Sequence, residues 1–120
     1  MSSTTTYEAG DVVVVQVPVT SQTAARPRPA LVVSASEYHG DRRDLVVCPI
    51  SSQPRHYERP ERDAHPIRAW ARVGLRLPST VRTLGIQSIE KTLVKRVLGR
   101  LATDDHEAVR VKLRGVLGLE

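Results

Sequence analysis

The 120-residue sequence contains no phenylalanine and only one tryptophan, and aromatic side chains make up 3% of it. A core of ordinary density must then be built from Val, Leu, Ile and Ala. A single cysteine, Cys48, leaves no partner for an internal disulfide and no second thiol for a paired-cysteine zinc site. No apolar run approaches the roughly 20 residues that span a bilayer. The opening MSSTTTYEAG has neither a basic n-region nor an apolar h-region. A cytoplasmic protein that makes no membrane contact is expected. The histidines, His39, His56, His65 and His106, show no His-x-x-His spacing and stand near no clustered acids. Each is read as a surface residue, and no metal or other cofactor is expected. A Gly-rich phosphate loop is also missing, and GVLGL reads as a helix C-cap.

What is present fits one globular domain. Hydrophobic residues form 40% of the chain and charged residues 26%. Residues 1–8 form a polar lead expected to be poorly ordered, and residues 9–120 a single domain. The formal net charge is +5 and unevenly placed. Between Gln53 and Arg82 stand seven arginines (55, 59, 62, 68, 72, 76, 82) against three acids (58, 61, 63), with no lysine. Arginine's planar fork matches phosphate geometry better than a point charge does, which favours a nucleic-acid partner over a merely soluble surface.

Val12 to Val19 is a β-branched run after a Gly10-Asp11 turn, the pattern of a strand buried on both faces. Thr20 to Pro29 reads as a loop, Ala30 to Ser34 as a second strand, Ser36 to Asp44 as a hairpin-type connection, and Leu45 to Ile50 as a third strand. The charged, proline-punctuated stretch Pro54 to Asp63 reads as a loop. From Ile67 to Val73 the alternation has period two, so a strand there would carry Arg68, Trp70 and Arg72 on one face. A further strand is expected around Thr80 to Leu84. Leu93, Val94, Val97, Leu98 and Leu101 recur at spacings of three and four, a helical pattern. A second helix is expected from an N-cap at Thr103, with Asp104 and Asp105 in its first turn and an end at Gly118. The order predicts a mainly β (α+β) fold, a small curled antiparallel barrel with a C-terminal helix over part of it.

Three features carry candidate chemistry. Arg26 and Arg28 alternate with Pro27 and Pro29 before the second strand, where proline either fixes the backbone under Arg28 or merely stops edge pairing. Ser51 and Ser52 follow the third strand, where hydroxyls bond a phosphate or cap a turn. Arg68, Trp70 and Arg72 suit backbone contact and base stacking, and Trp70 is equally suited to filling a core without Phe.

The ordered blocks GDVVVVQV, RPRPALVVS, LVVCPISSQ, PSTVRTLGIQSI and VLGRL, spread over residues 10–119, resemble the MazF/PemK toxins of type II toxin–antitoxin systems. The resemblance implies an SH3-like barrel, a homodimer, and metal-independent cleavage of single-stranded RNA that halts translation and growth. It also implies a cognate antitoxin with an acidic, partly disordered segment. It puts Arg28 and Ser51 in the catalytic site, with Arg82 as phosphate support. Ser52, Gln53, Arg68, Trp70 and Arg72 are candidate RNA contacts. The chain departs from the pattern at three places. Leu84 stands where some members carry an acid proposed as acid/base, Gln16 stands where an acid is frequent, and Ser51 replaces the commoner threonine. The general base is thus unassigned, with His56 and His65 as substitutes. Two alternatives remain open: a non-enzymatic toxin on the same barrel, similar to the CcdB gyrase poisons, and a catalytically weakened RNA- or antitoxin-binding module.

Overall fold

A computed structural model describes residues 6–17 and 26–119. Its strands are β1 (Asp11–Val17), β2 (Arg26–Val32), β3 (Asp44–Ser51), β4 (Ala64–Pro66), β5 (Thr80–Arg82), β6 (Gln87–Glu90) and β7 (Val94–Arg100). The α-helices are α1 (Pro54–Glu58), α2 (Trp70–Val73) and α3 (Thr103–Val116). All pairings among the described residues are antiparallel. The sheet runs β4-β5-β3-β2-β1-β7, with β6 also on β3, and among these residues the path is open rather than ring-closed. The architecture is mainly β with a C-terminal helix, as the element order predicts.

Strand β1 is buried on both faces, as its unbroken valine run requires. Val12 joins one apolar cluster with Leu31, Cys48, Ile50, Val81 and Val109. Val13 and Val15 join a second with Ala30, Val32, Leu45 and Val47 on the other side of the sheet. Tyr7, inside the expected polar lead, is 8% exposed and belongs to this second cluster, while residues 1–5 lie outside the described residues. Residues 18–25, the end of the expected first strand and most of the expected loop, also lie outside them. Arg26–Pro29, read from sequence as loop, are paired strand in β2, with Arg28 opposite Val15.

Strand β3 changes partners along its length. Asp44–Val47 pair with β6, whereas Ile50 and Ser51 pair with Val81 and Thr80 of β5. Val33 donates its N–H to Val46 O at 2.9 Å, so odd-numbered amides of β2 face β3, and odd-numbered β3 amides face the β5/β6 side. Pro49 therefore has its missing donor at the gap where β6 has ended and β5 has not begun. The 3-10 turn Thr83–Gly85 fills that gap, with Gly85 against the Pro49 ring. Pro27 and Pro29 likewise lack donors on the β3 side, and the β2–β3 ladder ends at Ala30↔Pro49.

Several elements differ from the sequence expectation. Residues 94–100 are a strand, not a helix. Its pairing with β1 shifts register twice, between Val12 and Val13 and between Val14 and Val15, so Lys95 and Leu98 are extra residues. Each insertion breaks the period of two and gives the apolar positions a helix-like spacing. Residues 67–73 are not a strand. The Ile67 amide bonds Ser79 O at 2.9 Å, the next two amides go to Asp105, and Trp70–Val73 form one helical turn closed by Gly74 at φ 103°. Pro54–Glu58, read as loop, is a helical turn with Pro54 at its start. Ala64–Pro66 and Gln87–Glu90 are strands that carry no clear alternation. The N-cap of α3 is Ala102, not Thr103.

A Cβ on Gly85 would lie 2.6 Å from Pro49 Cγ, a rigid ring with nowhere to move. Gly85→Ala should cost about 1–3 kcal/mol of stability through this overpacking, read as a lower urea midpoint with an unchanged m-value.

Candidate functional site

Directly opposed residues of antiparallel strands present their side chains on the same face. Ser51 is opposite Thr80, and Ala64 is opposite Arg82. Extending the Ala30↔Pro49 register by two residues brings Arg28 level with Ser51. Arg28, Ser51, Thr80 and Arg82 therefore share one side of the sheet, although they come from three strands. Arg28 and Arg82 are exposed and Ser51 is half-buried. Thr80 Oγ1 is buried and has no hydrogen-bond partner among the described residues. The β2–β3 ladder ends at Ala30↔Pro49, before it reaches Arg28 and Ser51.

Ser51 Oγ has two neighbours. His56 Nδ1, from α1, lies at 2.6 Å, and the Gln53 amide donates to the same oxygen at 3.2 Å. Pro54 starts the helical turn directly after Gln53 and folds it back over the end of β3. His56 also lines an open hollow of ≈ 470 Å³ with Arg55, Arg59, Glu61 and Arg82. Three arginines against one glutamate make this hollow strongly cationic, and together with Arg28 they suit an anion with several phosphates. The sequence reading passed over Arg55 and Arg59 as individual site residues. Their spacing of four puts both on one side of a helical turn, a signal lost when the stretch is read as loop.

The other expected RNA contacts are dispersed. Ser52, just past the end of β3, lines a separate hollow of ≈ 340 Å³ with Pro27, Pro29, Arg76, Leu77 and Arg96. Gln53 contributes its amide to Ser51. Arg68 and Arg72 are exposed, but neither they nor Trp70 line the hollow beside His56. The basic and aromatic strand face expected there does not form, because residues 67–73 are not extended. Trp70 is half-buried and packs against the first core cluster.

Two of the four histidines are buried, contrary to the surface reading. His39 Nδ1 bonds Tyr7 O at 2.7 Å and Nε2 lies 2.6 Å from Ser34 Oγ. His65 Nε2 lies 2.8 Å from Asp105 Oδ1. Asp105 lies in the first turn of α3 as expected, but is buried and also accepts the amides of Arg68 at 2.9 Å and Ala69 at 3.0 Å. Burial by itself raises the Asp105 pKa, but the Arg68 amide, the His65 bond and the Ala69 amide outweigh it and hold the carboxyl below its ordinary value. Burial pushes the Cys48 thiol up to about 12, which removes it as a nucleophile. Leu84 is 69% exposed and lines a different hollow with Asp63 and residues of α3. Among the described residues no three His, Cys, Asp or Glu side chains converge as a metal-ion site. None of their helices is long and apolar enough to cross a membrane.

The family model described as "PemK-like, MazF-like toxin of type II toxin-antitoxin system" matches residues 8–117. A comparison with curated proteins finds no match. Among solved structures, MazF (Form-I) from Deinococcus radiodurans superposes with a TM-score of 0.76 at 23% identity, covering 96% of this chain and 99% of that one. MazE–MazF (Form-III) from the same organism gives 0.73 at 25% identity, covering 95% and 98%. An endoribonuclease in complex with its cognate antitoxin from a mycobacterial species gives 0.73 at 16% identity, covering 98% of each chain.

The Asp105 carboxylate ties α3 to the segment before α2, so its replacement tests the scaffold under the site. Asp105→Asn should lower stability at neutral pH by about 3 kcal/mol, the size expected when a buried, fully bonded charge loses its place. A depressed carboxylate pKa contributes stability that is complete above about pH 4 and lost as pH falls through the folded-state value. Urea unfolding of the variant should accordingly change less than that of the parent between about pH 5 and pH 3.

Proposed function

Because the chain belongs to the PemK-like, MazF-like toxin family of type II toxin–antitoxin systems, we propose that it is a toxin endoribonuclease. It cuts single-stranded RNA without a metal ion or other cofactor, by attack of a 2′-hydroxyl on the adjacent phosphate, and so inhibits translation and growth. The observation that carries this reading is the common face of Arg28, Ser51 and Arg82, reached from three strands and continuous with a hollow lined by Arg55 and Arg59. The reaction needs charge stabilisation more than new covalent chemistry, since the phosphorane that forms carries an extra negative charge in a crowded site. Arg28 supplies two parallel N–H donors to its non-bridging oxygens, and the Ser51 hydroxyl supplies a third. Arg82 holds the neighbouring phosphate. Neither arginine accepts a proton, because guanidinium stays charged throughout the working range.

Gln53, Arg55 and Arg59 extend RNA contact away from the scissile bond. Ser52, Arg68, Trp70 and Arg72 are left to more distant nucleotides, because they lie off this hollow. The protein acts as a homodimer in the cytoplasm and is held inactive by a cognate antitoxin. Solved neighbours that contain MazE or a cognate antitoxin support that partner. The arginine excess between residues 53 and 82 suits an acidic, partly disordered antitoxin segment that folds onto the same surface.

Purified protein incubated with a long RNA in EDTA, with cut ends mapped by primer extension, should give discrete fragments. Arg28→Ala should cleave about 100- to 1,000-fold more slowly, the typical effect of losing one preorganised oxyanion donor, and should no longer arrest growth when expressed. An equally toxic Arg28→Ala would overturn the residue assignment. Growth arrest with intact RNA would point to a protein target, and salt-sensitive RNA binding without fragments to a binding module.

A further inference from the structure

We propose that His56 is the general base of this cleavage, with Nε2 as the atom that takes the 2′-hydroxyl proton; the inference rests on the ribonuclease reading above. Of the two histidines that sequence offers for the role, the structure separates them by their partners. His65 is 9% exposed and committed to the Asp105 carboxylate beneath the surface, as part of the scaffold. His56 stands at the open hollow, bonded to Ser51, and its Nε2 has no partner among the described residues.

The bonding of Ser51 decides which imidazole nitrogen carries the proton. Ser51 Oγ already accepts the Gln53 amide, and the hydroxyl has one hydrogen to give. If that hydrogen went to His56 Nδ1, Ser51 would have nothing to donate to a phosphate. With a phosphate beside it the alternative is favoured: Nδ1–H donates to Ser51 Oγ, the oxygen accepts twice, and the Ser51 hydrogen points to a non-bridging oxygen. Fixing the proton on Nδ1 leaves the lone pair on Nε2, directed away from Ser51. One hydrogen bond thus prepares both groups, a donor for the phosphate and an acceptor for the nucleophile.

The proton passes from the 2′-oxygen to Nε2, and the electron pair left on that oxygen forms the bond to phosphorus. The bond from phosphorus to the 5′-oxygen breaks, the departing oxygen takes a proton from water, and the hydroxide left takes the proton held on Nε2, which restores the base. The products are a 2′,3′-cyclic phosphate and a 5′-hydroxyl end. Imidazole is the side chain that ordinarily exchanges protons near neutral pH, so it accepts one without needing a carboxylate at Leu84. The groups that face His56 are Ser51, Arg55, Arg59, Glu61 and Arg82. Glu61 is the other acceptor at the hollow and makes no bond to Ser51. Asp63, the acid beside Leu84, bonds the Leu84 amide at 3.4 Å and lines a different hollow.

The test measures cleavage of a short RNA carrying one mapped site, in EDTA, across the pH range of imidazole titration. It compares the parent with His56→Ala, His56→Asn and Glu61→Gln. Binding of the same RNA with a 2′-deoxy nucleotide at the cut site reports whether each variant is folded and still holds RNA. His56→Ala and His56→Asn should bind this analogue as the parent does, cleave about 100- to 10,000-fold more slowly, and lose the acid limb of the kcat/KM profile. Glu61→Gln should keep that limb. The asparagine variant retains an N–H for Ser51 but no base, so parental cleavage by it would reduce His56 to a positioning residue and overturn the proposal. Survival of the acid limb in both His56 variants, or its loss in Glu61→Gln alone, would overturn it equally. A parent that binds the analogue yet leaves the RNA intact would instead remove the ribonuclease reading on which the proposal rests.

Discussion

A proline without an amide hydrogen, Pro49, sets the layout on which the rest depends. Strand β3 reaches Pro49 with β6 on one side, and the ladder on that side cannot continue through a residue that has no donor there. The chain of β5, the Thr83–Gly85 turn and β6 therefore leaves β3 at this residue, arches over its ring and rejoins it. On the other side, Pro29 and Pro27 deny β3 the donors it would need from β2. The two strands part just where Arg28 and Ser51 become level. Strand β2 keeps its ladder to β1 all the same, since its even-numbered amides still face that strand. An opening between strands is normally an exposed edge that invites further pairing. Here the missing donors make it a poor template for another strand, and a place for a ligand instead.

The second support is electrostatic and lies under the surface. Asp105 enters from α3 and collects His65 from β4 and two consecutive amides from the segment before α2. A buried carboxylate with that many donors fixes three stretches of chain against each other, because leaving any donor unpaired in the core costs on the order of 1–3 kcal/mol. It also explains why residues 67–73 abandon the extended pattern of their sequence. Their amides find partners in a side chain and a loop carbonyl rather than in a neighbouring strand. With β4 held in place, Arg82 opposite Ala64 and the residues of α1 are presented around Ser51. The Ser51–His56 bond then forms between a strand end and a helical turn that a single proline starts.

Legibility in the sequence followed the physics of each segment. The valine run of β1 and the apolar β2 and β3 were readable, because burial on both faces demands an uninterrupted apolar run. The amphipathic α3 was readable for the opposite reason, since only one of its faces is buried. Strand β7 was misread as helix, because two bulges moved Val97 and Leu98 off an alternating pattern. The turn at Trp70 was misread as strand, because Ile67 and Val73 enter the core from different local conformations and only by coincidence alternate. Arg28 and Ser51 stood out through the family resemblance, their own residues leaving a loop or cap role open. His56 and His65 stood level as candidate bases, since a spacing of five residues between Ser51 and His56 belongs to neither regular period.

The sequence by itself determined the mainly β class, the two-sided burial of β1 and the concentration of arginine between residues 53 and 82. These depend on composition and on contacts between near neighbours, which periodicity records. Only the tertiary structure decided that Arg28 stands level with Ser51, that Ser52 turns to another hollow, and that His56 rather than His65 meets the Ser51 hydroxyl. Those outcomes depend on strand register and on a buried carboxylate 40 residues from the histidine it binds. Register is a relation between strands, and no single strand's sequence carries it.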